Sequence, residues 1–330
     1  RTISGRMMEK DSTRWGCSVG KAQAVLPALA LGLGLAVSAA AEAKDYMVTA
    51  SRPNNMYLID LESREVIRTC ELPGEFGPGV IQMSPDKRIA FILNHRWENV
   101  YGVDLDSCEI VFSAVQSHGD LRVKSLGSRS VSADGTEVYT IQVPTLLLKD
   151  RYQVQEPRFT VFRVADGLEA KPVRSYPVPR RITTMQTAAD GSVYMGGADI
   201  FRIDPKTGVV TTAIPNRSWG RPLYGVPDVL AFWPIGQQSD EYILMYSAPV
   251  FTDDSMTELA DFVWGYSRVD LETGETTIAD FASFEVIMFS GMTDPRNHDI
   301  LYGVYTQLSK HDLKNKTLIK RVELDHMLLD

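Results

Sequence analysis

A short apolar strand that runs into an Asp-led turn recurs six times along this 330-residue chain. The aspartates that open these turns are spaced 44, 62, 38, 66 and 42 residues apart, at Asp60, Asp104, Asp166, Asp204, Asp270 and Asp312. A period of about 40 to 50 residues is typical of β-propeller blades, and two of the copies carry insertions. The repeat therefore predicts an all-β fold and argues against helical solenoids.

A second tight turn stands upstream of most copies, and an apolar strand follows it directly. Its copies are Ser84-Pro85-Asp86, Ser132-Ala133-Asp134-Gly135, Ala188-Ala189-Asp190-Gly191 and Thr293-Asp294-Pro295. With this turn, the strand before the Asp motif and an outer strand such as residues 65–71 or 317–324, each repeat has four strands. The sequence thus predicts a β-propeller of four-stranded blades, with about six blades present in this chain.

The amino-terminal region has the layout of a secretory signal peptide. Arg14 and Lys21 precede an apolar run over residues 24–40, and Ala41-Glu42-Ala43 follows as a small-x-small cleavage site. The alternative of a membrane anchor is disfavoured because the run is short for a span and rich in Ala and Gly. We expect cleavage after Ala43 and export to the periplasm.

This interpretation divides the chain into residues 1–43, the signal peptide and upstream residues, and residues 44–330, the propeller domain. The formal net charge of −8 gives no electrostatic footprint for nucleic acid. Export permits disulfides, and Cys70 and Cys108 both lie in the mature part. The sequence leaves a disulfide between them open, since spacing alone cannot establish the required geometry.

Motifs that carry catalysis are absent from the sequence, which has no Gly-x-Ser-x-Gly elbow, His-Glu-x-x-His pair, Walker loop or Cys-x-x-Cys-His haem site. The five histidines are scattered without the spacing of metal ligands. We therefore predict neither a catalytic residue nor a metal site in this chain. A stand-alone propeller hydrolase or lactonase, which needs acids and histidines that converge on one channel, is disfavoured.

The longest departure from the repeat spans residues 216–257 and is crowded with aromatic residues and proline. Trp and Tyr combine a large apolar body with a polar tip, which suits partner interfaces and pocket walls. The same residues could instead fill the joint between two blades, because blade cores also use large side chains. Both interpretations remain open at this point.

A series of stretches that keeps its order from Leu121 onward carries a family resemblance: Arg122-Val123-Lys124-Ser125-Leu126, Tyr152-Gln153-Val154-Gln155-Glu156-Pro157, Arg181-Ile182-Thr183-Thr184-Met185, Ser218-Trp219, Pro227-Asp228-Val229-Leu230-Ala231-Phe232-Trp233 and Val269-Asp270-Leu271-Glu272-Thr273-Gly274-Glu275. These stretches resemble the β subunit of quinohaemoprotein amine dehydrogenase, a periplasmic oxidoreductase. The resemblance covers roughly two hundred residues.

The resemblance implies a seven-bladed propeller, so that about one blade would be missing after Asp330 and the chain would be truncated at its C-terminus. It also implies a heterotrimer that oxidises primary amines to aldehydes and ammonia. In that family a small γ subunit carries cysteine tryptophylquinone, and an α subunit carries two haem c groups. The β subunit binds no redox cofactor; it holds the small subunit and helps wall the quinone pocket.

Together with the aromatic insertion, the resemblance makes Trp219, Tyr224, Asp228 and Trp233 our predicted partner-facing or pocket-facing residues. Two alternatives stay open. One is a stand-alone periplasmic binding propeller without catalysis, and the other is a propeller like the heavy subunit of methylamine dehydrogenase.

Overall fold

The computed structural model describes residues 2–6, 44–75, 77–125, 128–229, 240–283, 288, 290–294, 296–305 and 307–324. These residues form six antiparallel β-sheets with four main strands each, and the sheet of blade 3 has two additional short strands. The first three blades contain β1 (Thr2–Arg6), β2 (Tyr46–Ser51), β3 (Asn55–Asp60), β4 (Val66–Glu71), β5 (Ile81–Met83), β6 (Ile89–Asn94), β7 (Asn99–Asp104), β8 (Ile110–Val115), β9 (Leu121–Lys124), β10 (Arg129–Val131), β11 (Glu137–Leu147), β12 (Tyr152–Val154), β13 (Arg158–Arg163) and β14 (Pro172–Pro177).

Blades 4 to 6 follow the same plan. They contain β15 (Thr184–Thr187), β16 (Val193–Gly196), β17 (Ile200–Ile203), β18 (Val210–Ile214), β19 (Asp228–Val229), β20 (Glu241–Phe251), β21 (Leu259–Asp270), β22 (Thr276–Ser283), β23 (Ser290–Asp294), β24 (Asn297–Val304), β25 (Gln307–Asp312) and β26 (Thr317–Glu323). Two short 3-10 segments, η1 (Val164–Glu169) and η2 (Asn216–Ser218), interrupt the described strands. The prediction of a propeller with six four-stranded blades in this chain is confirmed.

The first strand of each blade lies on the inner side of the propeller, since β1 contacts β5, β5 contacts β10 and β10 contacts β15. In blade 1 this position belongs to the backbone of β1, which pairs with β2 through Thr2↔Ala50 and Ile3↔Thr49. Removal of residues 1–43 by signal cleavage, as the sequence predicts, would remove β1 and leave this edge of β2 without its present partner strand.

Hydrophobic cores lie between successive blades rather than within one central core. On β6, Ala90 and Ile92 pack toward blade 1, whereas Phe91 and Leu93 pack toward blade 3. Alternate side chains of a strand point to opposite faces of the sheet, and here both faces are buried. This explains why a second strand such as β6 is a continuous apolar run and does not alternate with polar residues.

The Asp-led turns were predicted from local chemistry, and five of them form as expected. Their carboxylates accept hydrogen bonds from backbone N–H groups two or three residues ahead, at Asp60, Asp104, Asp204, Asp270 and Asp312. Asp166 differs, because it lies in η1 and pairs with Arg163 at 3.1 Å instead. The segment η1 packs against β8 of blade 2. It stands where the other blades have a short hairpin turn.

Successive connections of an antiparallel blade lie at opposite faces, which divides the propeller into two surfaces. The Asp-led turns and the turns between first and second strands lie on what we call the Asp-turn face. The opposite surface, the hairpin face, carries the connections between blades and the hairpins between second and third strands. Two of these hairpins are long, because β11 extends to Leu147 and pairs there with β9 and β12, while β20 and β21 extend together past Val250.

Polar side chains join neighbouring blades near the Asp-turn face. Arg68 donates to the carbonyl oxygen of Leu105 in blade 2, and Arg174 donates to that of Pro205 in blade 4 at 3.2 Å. Both acceptors belong to the residue directly after a turn aspartate, so the two contacts are equivalent in the repeat. They fix each outer strand to the turn of the next blade.

A disulfide joins Cys70 to Cys108, with their Cα atoms 5.3 Å apart. Cys70 lies on β4, the outer strand of blade 1. Cys108 lies in the turn just before β8 and not in the outer strand itself, with a positive φ of 63°. The bond therefore crosses the joint between blades 1 and 2 next to the Asp104 turn.

Candidate functional site

The connection between blades 4 and 5 folds back over blade 5 on the hairpin face. At its start, Asn216 is fully buried and its Oδ1 accepts a hydrogen bond of 2.8 Å from Ser267 on β21. The N–H of Arg217 donates to Asp199 Oδ1 at 2.8 Å. Further along, Tyr224 forms an isolated bridge with Val250 at the far end of β20. The connection is thus anchored to both neighbouring blades.

This connection packs on a row of residues that crosses blade 5. Tyr246 on β20 pairs with Gly265 on β21, and Gly265 pairs with Asp280 on β22. The phenol of Tyr246 lies over Gly265, where a Cβ atom would come within 2.1 Å of the ring. Because Gly265 has no side chain, the hydroxyl of Tyr246 reaches Asp280 and donates to its Oδ1 at 2.7 Å.

Arg221 completes the site from the connection above. Its guanidinium donates to both oxygens of Asp280, at 2.8 and 2.7 Å, in the bidentate geometry that makes arginine–carboxylate pairs strong. The hydroxyl of Tyr224 donates to Asp280 Oδ2 at 2.5 Å. Asp280 therefore accepts four hydrogen bonds from three side chains, and its own side chain is 17% exposed.

These contacts fix the charge state of the site. Burial alone would raise the pKa of Asp280, but the hydrogen bonds from Arg221, Tyr224 and Tyr246 outweigh it and hold that pKa below its ordinary value. The hydrogen bonds with Asp280 raise the pKa of Arg221. Burial, and then the hydrogen bond to Asp280, raises the pKa of Tyr224 and of Tyr246. At neutral pH the cluster holds one carboxylate, one guanidinium and two neutral phenols.

Aromatic rings enclose the guanidinium. Its carbon lies 3.7 Å from the ring centroid of Tyr224 and 4.9 Å from that of Trp219, within the range of cation–π attraction. Trp219 meets Tyr224 and Tyr246 edge to face, with centroids 5.8 and 5.1 Å apart. We refer to Trp219, Arg221, Tyr224, Tyr246 and Asp280 as the Arg221 cluster. Its members are locked by one another and give this part of the hairpin face a rigid base.

The four predicted site residues reach different places. Trp219 and Tyr224 meet in the Arg221 cluster and are both partly exposed. Asp228 is exposed on β19, where it pairs with Ser247 next to Tyr246 of the cluster. Trp233 lies outside the described residues. The sequence prediction missed Arg221 and Asp280, although the carboxylate at Asp280 interrupts an otherwise apolar stretch of the outer strand.

Exposed apolar side chains accumulate on the same face. Tyr152 on the blade 3 hairpin is 77% exposed, and other large apolar side chains on the loops of the hairpin face are at least two-fifths exposed, among them Trp97, Val154, Val226, Met256 and Leu259. On the Asp-turn side the exposed apolar residues lie where an outer strand begins, as a single side chain at Val209 and as adjacent pairs at Val66 and Ile67 and at Leu318 and Ile319. Clustered exposed apolar side chains mark interaction surfaces, whereas single ones are normal.

A groove lies on the Asp-turn face of blade 4. It encloses about 540 Å³ between the two turns of blade 4 and is lined by Asp190, Arg202, Asp204 and Lys206, among others. Arg202 pairs with Asp190, and the carboxylate of Asp204 holds its own turn. Three of these charged side chains, Asp190, Arg202 and Asp204, are thus engaged in contacts within the groove.

The histidines do not gather into a site. Within the described part of the chain, no group of three or more His, Cys, Asp or Glu side chains could hold a metal ion. His311 is fully buried on β25 against the ring of Phe281, 5.3 Å away. Its Nε2 lies 3.0 Å from Ser309 Oγ, and its Nδ1 has no hydrogen-bond partner. Burial lowers the pKa of His311 to about 4.

Burial of His311 makes stability depend on pH. Between pH 6.5 and about 4 the unfolded chain binds a proton on this imidazole and the folded chain does not. The free energy of unfolding should therefore fall as the pH falls through that window, by on the order of 3 kcal/mol for this group. Urea unfolding at several pH values measures this. In His311→Leu that part of the pH dependence should vanish, whereas the exposed control His118→Gln should keep it; an unchanged profile in His311→Leu would contradict the assignment.

Comparison with known proteins gives the class of fold. No family model matches the chain, and no curated protein has a matching sequence. Among solved structures, the chain is similar to hydrazine synthase of Kuenenia stuttgartiensis, with a TM-score of 0.54, 12% identity and coverage of 85% of this chain and 83% of that one. It is also similar to an oligogalacturonate lyase from Vibrio parahaemolyticus, with a TM-score of 0.53, 14% identity and coverage of 84% and 73%. At such identity the likeness shows the fold alone.

The described residues contain no helix long and apolar enough to cross a membrane. The apolar run over residues 24–40 that the sequence predicts as part of a signal peptide lies outside them.

Proposed function

We propose that this chain is a propeller subunit that binds protein partners through its hairpin face. The observation that carries the proposal is the gathering of exposed apolar side chains on the two long hairpins of that face. The Arg221 cluster supports it, because a partner surface held rigid before binding loses less conformational freedom on association. Large aromatic anchors and arginine are also the residues that dominate binding energy at interfaces.

The finer proposal follows the family resemblance. The chain would be the β subunit of a periplasmic quinohaemoprotein amine dehydrogenase, which oxidises primary amines to aldehyde and ammonia. Cysteine tryptophylquinone in the γ subunit would supply the oxidising chemistry, and haem c in the α subunit would accept the electrons. This chain would hold the γ subunit and help to exclude water from its pocket. The Cys70–Cys108 disulfide supports export, since disulfides persist in oxidising compartments.

Co-purification tests both levels. The tagged chain would be isolated from its native periplasm and examined by haem staining, quinone staining and amine-dependent dye reduction. We expect bound haem and quinone subunits together with amine oxidation. A bound partner without haem or quinone would support the interaction subunit and exclude the dehydrogenase. A monomer without partners would overturn both and favour a stand-alone binding propeller.

Matched variants locate the binding face. Tyr152→Asp and Met256→Asp place a charge on the two long hairpins, where we expect them to abolish co-purification of the partners. Val209→Asp places the same charge on an equally exposed apolar position of the Asp-turn face and should leave co-purification unchanged. Loss of the partners in Val209→Asp alone would show that the wrong face was assigned.

A further inference from the structure

Two arginines lie in the joint between blades 2 and 3 without an opposite charge. Arg129 on β10 is 2% exposed, and Arg158 begins the neighbouring strand β13. Burial lowers the pKa of both guanidinium groups, and no carboxylate contributes to either shift. Within the described residues, therefore, this joint holds positive charge that no acidic side chain balances.

Arg129 is also short of hydrogen-bond acceptors. Its Nε donates to the carbonyl oxygen of Phe91 at 3.1 Å, whereas Nη1 and Nη2 are buried and have no partner. The apolar core of this joint includes Leu93, Phe112 and Val138. Unpaired buried donors are rare, and an unpaired buried charge costs several kcal/mol even after the protein relaxes.

The two buried glutamines of blades 2 and 3, Gln116 and Gln142, already make hydrogen bonds of their own. Oε1 of Gln116 accepts hydrogen bonds from Ser125, Thr140 and Gln142, at 3.2, 3.1 and 2.9 Å. Oε1 of Gln142 accepts from Nε of Arg158 at 2.8 Å. Turning either amide toward Arg129 would break bonds that already satisfy other buried groups. These two glutamines thus offer no free acceptor to Nη1 and Nη2 of Arg129.

The missing partner can be described chemically. Burial lowers the pKa of Arg129 only to about 9, so its guanidinium remains charged at neutral pH. The occupant must be negative, must accept hydrogen bonds from two N–H groups, and must be small, because both nitrogens are enclosed. We propose that the joint between blades 2 and 3 binds one small monovalent anion of the halide class against Nη1 and Nη2 of Arg129. Such an ion would fix blade 2 to blade 3 from within.

Thermal unfolding of the full chain tests this site. Chloride is titrated against gluconate at constant ionic strength, so that general screening by salt stays fixed. Because a ligand that binds only the folded state stabilises it, the wild-type Tm should rise with chloride and then saturate. In Arg129→Met, which keeps an apolar stem of similar length, that rise should disappear. The control Arg158→Met should retain it, since Arg158 already has a hydrogen-bond partner.

Bromide gives an independent measurement that does not depend on a variant folding. Anomalous scattering from wild-type crystals grown with bromide should show one peak beside the guanidinium of Arg129. A Tm rise of equal size in wild type and Arg129→Met would overturn the proposal, as would an anomalous map with no peak in this joint. Neither result bears on partner binding at the hairpin face, so this site is tested separately from the proposed function.

Discussion

Asp280→Ala should lower the free energy of unfolding by about 3 kcal/mol. Removing this carboxylate leaves the partly buried guanidinium of Arg221 without its counter-charge and takes the acceptor away from the hydroxyls of Tyr224 and Tyr246. Breaking a buried ion pair by deleting one partner costs about 3 to 5 kcal/mol, and the partial exposure of Arg221 places the effect at the lower end. Urea unfolding monitored by Trp fluorescence measures the loss.

Two further variants test whether the loss of stability in Asp280→Ala comes from the unpaired charge of Arg221. Asp254→Ala, on the long hairpin of the same blade, should change stability by less than about 0.5 kcal/mol because Asp254 is exposed. The double variant Arg221→Met with Asp280→Met should cost less than Asp280→Ala, since it leaves no unpaired charge. If Asp280→Ala and Asp254→Ala were equally mild, the Arg221 cluster would not stabilise this face.

The blades could be predicted from the sequence because their signals are local. An aspartate that accepts backbone N–H groups two or three residues ahead forms its turn from a few neighbouring residues, as at Asp60 and Asp270. Short strands between such turns leave few alternatives to a repeated blade. Asp166 shows the limit of this rule, because an insertion replaced the turn by a 3-10 segment that packs against another blade.

The candidate site could be predicted only in part because its contacts span the chain. Arg221 and Asp280 are 59 residues apart, and their meeting depends on the pairing register that aligns Tyr246, Gly265 and Asp280. No local pattern encodes that register. The aromatic residues Trp219 and Tyr224 were detectable from composition, but the charges that orient their rings were not. These two residues pack against blade 5 and remain partly exposed, and their role in partner binding stays a prediction.

Loss of the Cys70–Cys108 disulfide should lower stability by about 4 kcal/mol. The bond closes a loop between residues 38 positions apart, and the chain-entropy relation gives about this value for a loop of that length. When the bond is removed, the unfolded chain gains conformational entropy, and this lowers the free energy of unfolding. The joint between blades 1 and 2 also loses its covalent link. Denaturant unfolding of Cys70→Ser with Cys108→Ser, compared with wild type, measures the change.

Reductant supplies the matched control for that variant. A thiol reductant should destabilise the wild-type protein and leave the double serine variant unchanged, because the latter has no bond at this joint to reduce. Peptide mapping of the purified protein without reduction should recover one fragment that contains both Cys70 and Cys108. Free thiols at both positions in protein isolated from its native compartment would contradict the disulfide, and with it the support that it gives to export. If the bond is found, the contact between blades 1 and 2 is confirmed at these two residues, and the proposed export gains support.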